Sequence, residues 1–146
     1  MTATITPADP ADLPAVLDLL ERSRLPGDGL AEHAATLLVA RDGDRIVGSA
    51  ALELYGTAAL LRSVAVDPDR RGTGLGQRLT SAALELARQR GVRTVYLLTE
   101  TAGDFFPRFG FRAIGRDAVD PAVRASVEFT TLCPASALAM ALDLAP

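Results

Sequence analysis

The spacing of apolar positions along this 146-residue chain changes period several times, and each change predicts an element. Leu13, Val16, Leu17 and Leu20 recur at helical spacing, which predicts a helix over 11–24 started from the Asp9 or Asp12 region. Leu25-Pro26-Gly27-Asp28-Gly29 reads as a loop, with a short helix following to about His33. Two strand-like runs come next, 35–40 and 46–55, turning at Asp42-Gly43-Asp44. Gly56-Thr57 fits a two-residue hairpin loop into a third run, 58–66. Leu75, Leu79, Ala82 and Leu86 restore the helical period over 75–90, and Gly91 ends it. Residues 94–98 read as a strand. A strand–helix–strand crossover is right-handed, so 58–66 and 94–98 are expected side by side and parallel. A first strand at Ile5-Thr6, a short helix over 102–109, a strand at 111–115, an irregular or helical stretch at 121–126 and a last strand at 137–144 complete a mixed α/β pattern.

Composition narrows the class. Hydrophobic residues make up 49% and charged residues 23%, which suits one domain over 1–146 with a full core. No run approaches the roughly 18 to 20 apolar residues that span a bilayer, so no membrane role is expected. The first residues lack the basic-then-apolar order of a signal peptide, and the cytoplasm is the expected compartment. One cysteine, Cys133, and one histidine, His33, leave no metal site or Ser-His-Asp triad to build. A net charge of −3 argues against nucleic-acid binding. All fifteen basic residues are arginine, which we read as codon bias in a GC-rich genome.

The most informative stretch is Arg71-Gly72-Thr73-Gly74-Leu75-Gly76-Gln77, because an apolar strand closed by Asp67-Pro68 precedes it and a helix follows. Glycines let backbone amides approach a ligand, and a helix N-terminus adds unpaired donors at the positive end of the dipole. That combination suits a phosphate, with Arg70, Arg71 and Arg78 nearby. The G-x-G-x-G spacing is neither the dinucleotide G-x-G-x-x-G nor a P-loop.

Leu61-Arg62-Ser63-Val64-Ala65-Val66-Asp67-Pro68 followed by Arg71-x-x-Gly74-x-Gly76 resembles the acetyl-CoA motif of the GCN5-related N-acetyltransferase superfamily. Phe105-Phe106-Pro107-Arg108-Phe109-Gly110-Phe111 is similar to its late helix-to-strand segment. Within it, Leu98-Thr99-x-Thr101-Ala102-x-x-Phe105-Phe106 resembles the acetyltransferase domain of N-acetylglutamate synthases. Leu52-Glu53-x-Tyr55-Gly56 and Cys133-Pro134-Ala135-Ser136-Ala137 resemble the acetyltransferases encoded beside arsenic-resistance genes. The resemblance implies an α/β (α+β) fold: a central mixed, mostly antiparallel sheet of six to seven strands, helices on both faces, and a strand–helix–strand acetyl-CoA core. It implies acetyl-CoA as co-substrate, no metal, a small-molecule amine as acceptor, and direct attack of that amine on the thioester. An amino acid or amino-acid analogue is the expected acceptor. An inactive acyl-CoA binder and a protein acetyltransferase stay open as alternatives, and so does a homodimer.

Site residues follow from the same resemblance. Acetyl-CoA is expected along Val64, Ala65 and Val66, over residues 71–77 (Arg71, Gly72, Thr73, Gly74, Leu75, Gly76, Gln77), and at Thr99, Asp104, Phe105 and Phe106. The Val64 amide would face the thioester oxygen, where a well-placed donor contributes ~3 to 4 kcal/mol. Two positions depart from the family. Leu60 stands where many relatives carry a glutamate base, and Phe106 where many carry a tyrosine acid. With Gly56-Thr57 as the loop, Glu53 pairs with Leu60 and faces the same side, which makes it the expected base; a solvent-facing strand residue is the alternative. Arg62 alternates onto the face of Leu60 and Val64, suited to a substrate carboxylate or to an ion pair with Glu53. Tyr55, Asp28 and Arg116 are the other expected acceptor-side residues. His33 falls beside Asp28 in the acceptor loop or at a surface helix end.

Overall fold

A computed structural model describes residues 3–100, 103–126, 128–129 and 137–144. Its strands are β1 (Thr4–Pro7), β2 (Leu37–Asp42), β3 (Arg45–Tyr55), β4 (Ala58–Val66), β5 (Thr94–Thr99), β6 (Arg112–Ile114) and β7 (Leu138–Asp143). Its α-helices are α1 (Leu13–Arg22), α2 (Leu75–Gln89) and α3 (Pro121–Arg124). The strands form a seven-stranded sheet in the order β1-β2-β3-β4-β5-β7-β6. β4 and β5 are parallel, as the crossover requires, in register from Ala58–Thr94 to Leu60–Tyr96. The pairs β1/β2, β2/β3, β5/β7 and β6/β7 are antiparallel.

The chain divides into two compact units. The first comprises Met1–Glu53 and Leu61–Leu86. In it Val16, Leu19 and Leu20 of α1 pack with Leu37 and Val39 of β2, Ala51 of β3 and Ala65 of β4. The three α1 side chains are fully buried, and such burial stabilises by about 1.5–3 kcal/mol each. Side chains alternate across a strand, so Gly48 faces away from Ala51, and there Leu79 of α2 lies 2.7 Å from where a Cβ would stand. Helices therefore cover both faces of this part of the sheet. The first helix is shorter than its periodicity suggests. The Asp9 amide donates to Asp12 Oδ2 at 2.7 Å and a 3₁₀ turn occupies Pro10–Asp12 before α1 begins. At the other end Arg24 turns left-handed at φ 58° and the Leu25 amide donates back to the Leu20 carbonyl at 2.9 Å, a helix stop made without glycine.

The second unit comprises Leu54–Leu60 and Ala87–Pro146. Ala58 and Leu60 of β4 pack with Val119, Val123 of α3 and Ala139 of β7, and Tyr55, Tyr96 and Leu98 close around them. The helix expected over 102–109 is only a 3₁₀ turn at Phe106–Phe109. Pro107 removes an amide and disfavours α geometry at Phe106, and Gly110 at φ 102° turns the chain out. Among the described residues no helix is long and apolar enough to cross a membrane.

Candidate functional site

The first unit carries two built features. One is the turn between β4 and α2. Asp67 ends β4 and caps a 3₁₀ turn, Pro68–Arg70, by accepting the Asp69 amide at 3.0 Å. Its other oxygen lies 2.8 Å from Arg45 Nη2 and 3.6 Å from Arg22 Nη1, and its own amide donates to the Val47 carbonyl at 2.9 Å. The Asp69 amide, then Arg45 and Arg22, hold the buried Asp67 carboxyl below its usual range against the cost of burial. This anchoring fixes where the next segment starts.

Gly72 and Gly74 then adopt φ 80° and 81°, a left-handed region costly to other residues. The Arg78 amide donates to the Gly74 carbonyl at 3.1 Å, so Gly74 is the N-cap and the amides of Leu75, Gly76 and Gln77 form the first helical turn. A Cβ on Gly72 or Gly74 would meet nothing within 4 Å, so the space over the turn is open. That fits a bound diphosphate. The expected cationic surround is thinner than its three arginines suggest. Arg70 is paired with Asp42, whose carboxyl it holds low, and Arg78 donates to the Ala3 carbonyl at 2.8 Å. Arg71 is exposed and has no ion-pair partner among the described residues.

The second feature is a buried polar network. Glu53 and Arg62 have side chains 1% and 0% exposed, with Nη1 to Oε2 at 2.8 Å. Arg62 Nη2 donates to two carbonyls of the 25–29 loop, Asp28 at 2.9 Å and Pro26 at 3.3 Å, and Nε donates to Ser63 Oγ at 3.1 Å. The ion pair with Glu53, one of the two roles open to Arg62, is present. The carboxylate-binding role meets a guanidinium already engaged on three sides. His33 completes the group, its Nε2 3.7 Å from Glu53 Oε2 and its side chain 23% exposed. Thr36 Oγ lies 2.5 Å from the Leu52 carbonyl and 3.3 Å from the His33 carbonyl, which ties the 30–36 segment to β3.

One sequence expectation needs correcting here. Simple alternation puts Arg62 and Val64 on one face, yet Ala65 joins the α1 cluster and Val64 does not. The cause is Ser63, which lies inside β4 at φ 59°. A left-handed residue in a strand is a bulge that shifts the alternation by one, at ~1–2 kcal/mol for a non-glycine. Two bonds hold it: Ser49 Oγ donates to the Ser63 carbonyl at 2.7 Å, and Arg62 donates to its hydroxyl. No sequence signal marked Ser63. Asp67 was legible only as a strand end before proline, and Thr36 carried no mark at all.

The remaining expected residues divide between the units. Val64 and Val66 are half-buried on β4, and Asp28 is exposed in its loop. In the second unit Phe106 is buried, edge-on to Phe105 at 5.1 Å and to Phe111 at 5.8 Å. Thr99 and Tyr55 are half-buried and Asp104 is exposed in a turn. Arg116 lies over the Phe129 ring at 5.8 Å, with Nη2 3.3 Å from the Ala137 carbonyl. Leu60, where a family base would stand, is fully buried in the second unit's core. Thr101, Ala102, Cys133, Pro134, Ala135 and Ser136 lie outside the described residues.

Comparison with known proteins gives a consistent result. The model of the acetyltransferase (GNAT) domain matches residues 33–113. A mycothiol acetyltransferase from Clavibacter sepedonicus is 41% identical over 87 residues, 58% of this chain and 28% of that protein. An amino-acid acetyltransferase from Mycobacterium tuberculosis is 39% identical over 72 residues, 48% of this chain and 40% of that protein. The chain thus spans well under two thirds of the length of these curated relatives. Among solved structures, Rv2747 from Mycobacterium tuberculosis, in complex with CoA and NLQ, superposes with a TM-score of 0.83 at 26% identity, covering 97% of this chain and 99% of that one.

Proposed function

This chain belongs to the acetyltransferase (GNAT) domain family, and from that premise we propose that it transfers the acetyl group of acetyl-CoA directly to the amine of a small molecule, an amino acid or amino-acid analogue. The observation that carries the reading is the 67–77 turn, with two left-handed glycines and the first-turn amides of α2 under open space. The pyrophosphate of CoA would take the Leu75, Gly76 and Gln77 amides, with Arg71 beside it. The Val64 amide, on β4 past its parallel register with β5, would serve the thioester oxygen. Support for an amino-acid acceptor comes from the amino-acid acetyltransferase relative.

Chemistry requires a neutral amine, because an alkylammonium has no lone pair for attack. Glu53 is the carboxylate to which the hairpin count points, and its side chain is paired with Arg62. The test is acetyl-CoA-dependent thiol release over amino acids, their decarboxylated amines, polyamines and phosphinate or arsenical analogues. Turnover of amino acids well above their decarboxylated counterparts supports the acceptor class. CoA binding with no thiol release from any amine would identify a binder without catalysis.

A further inference from the structure

We propose that His33 takes the proton from the acceptor amine, with Glu53 and Arg62 as positioning residues behind it, an inference that rests on the acetyl-transfer reading above. A base must reach an amine arriving from solvent. Glu53 does not: its side chain is 1% exposed and Arg62 Nη1 lies 2.8 Å from its Oε2. His33 does, with a side chain 23% exposed and Nε2 3.7 Å from the same Oε2. That separation is ion-pair distance rather than a hydrogen bond, leaving room for the imidazole to close on the carboxylate when it gains a proton.

The backbone is arranged to hold the ring there. The 30–36 segment departs from helical geometry at His33 itself, φ −116° and ψ 21°. The Thr36 hydroxyl donates to the Leu52 carbonyl, one residue before Glu53, and so holds the end of the His33 segment against β3. Arg62, by gripping the Pro26 and Asp28 carbonyls, fixes the loop that leads into the segment. The carboxylate of Glu53 from β3 faces the imidazole and is itself paired with Arg62 from β4, while Asp28 of the loop and Glu32 of its own segment are exposed. Imidazole is the side chain suited to gain and lose a proton near neutral pH.

The step balances without a redox partner. An ammonium proton passes to the neutral imidazole, giving a free amine and an imidazolium stabilised by Glu53. The amine lone pair forms the N–C bond to the thioester carbonyl, and the C–S bond breaks. The second amine proton goes to the departing thiolate to give CoA thiol, and the imidazolium returns its proton to solvent.

The experiment compares wild type, His33→Gln, His33→Ala, Glu53→Gln and the His33→Gln/Glu53→Gln double variant by thiol release with an alkyl amine that wild type accepts. At pH 7 each single variant is expected to lose about 10² in kcat with the KM for acetyl-CoA unchanged. The double variant should lose no more than the worse single one, because the two groups act in series. The loss should shrink as pH rises and the amine arrives neutral. Added imidazole should restore His33→Ala but not Glu53→Gln, a rescue that misfolding would not permit. Wild-type turnover by His33→Gln at pH 7, or a loss that is flat with pH and deaf to imidazole, overturns the proposal. Absence of thiol release from wild type with every amine overturns the transfer reading, and this one with it.

Discussion

The 67–77 turn and the Arg62 network belong to the same unit but are built in opposite ways. The turn is open to solvent at Gly72 and Gly74, its proposed working parts are backbone amides, and it lies within eleven consecutive residues. The network is buried, its parts are side chains, and apart from the bond to neighbouring Ser63 the bonds of Arg62 reach positions 9 to 36 residues away. An exposed cradle of amides is ready for a ligand without any side chain committing to it. A buried arginine has to be satisfied before any ligand arrives, and here loop carbonyls, a carboxylate and a hydroxyl satisfy it. Two glycines define the first feature, and the folded chain alone defines the second.

Variants that break one feature and spare the other make the contrast measurable. The largest effect is expected from Arg62→Ala, which leaves Glu53 buried without its cation. Breaking a buried pair from one side costs about 3–5 kcal/mol, or a fall of roughly 10 °C in Tm for a chain of this size. Replacing both Glu53 and Arg62 by methionine should recover most of that stability in a melting experiment, because no charge is then left buried. If Arg62→Ala melts like wild type, the network is not structural.

Next comes Gly74→Val, which puts a β-branched side chain at φ 81° over the cradle. The strain of about 1–3 kcal/mol falls on the turn alone. CoA affinity should drop by about 100-fold in calorimetry while the fold survives by circular dichroism. Unchanged affinity would remove the turn from the binding site. The smallest effect is expected from Asp67→Asn, a loss of about 1–2 kcal/mol at neutral pH. The Asp67 carboxyl is held below its ordinary value of 3.8, so its contribution is present above that value and fades as pH falls toward the folded-state one. The difference in Tm between wild type and Asp67→Asn should therefore be full at pH 7 and close below about pH 4. A difference that persists in acid would mean that shape rather than charge anchors the turn.

Legibility in the sequence follows the same division. The strand–turn–helix from Ala58 to Gln89 was readable because period, punctuation and glycine spacing all lie in consecutive residues. The parallel pairing of β4 with β5 followed from handedness alone. The helix over 102–109 was overdrawn because Pro107 and Gly110 outweigh the aromatic pattern around them. Counting back from Gly56-Thr57 put Glu53 opposite Leu60, and alternation put Arg62 on the same side, so an ion pair between Glu53 and Arg62 was one of the two readings open. Their links to Pro26, Asp28 and His33 could not be read, since no spacing relates a loop to a strand twenty to thirty-six residues later. Ser63 was invisible for another reason: serine is an ordinary strand residue, and only bonds made after folding hold it left-handed.

That bulge changes how β4 can be edited. A regular strand has one phase, so a pattern of allowed residues written at one end holds at the other. Here the phase resets at Ser63. A library that alternates apolar and polar choices from Ala58 through Val66 would be correct up to Arg62 and inverted afterwards, sending the wrong chemistry into the α1 core at Ala65. Removing one residue near Ser63 would restore a plain pleat and rotate the approach to Asp67, so the capped turn beyond it would start from the wrong side. For redesign, β4 is two short strands with independent patterns that meet at a serine.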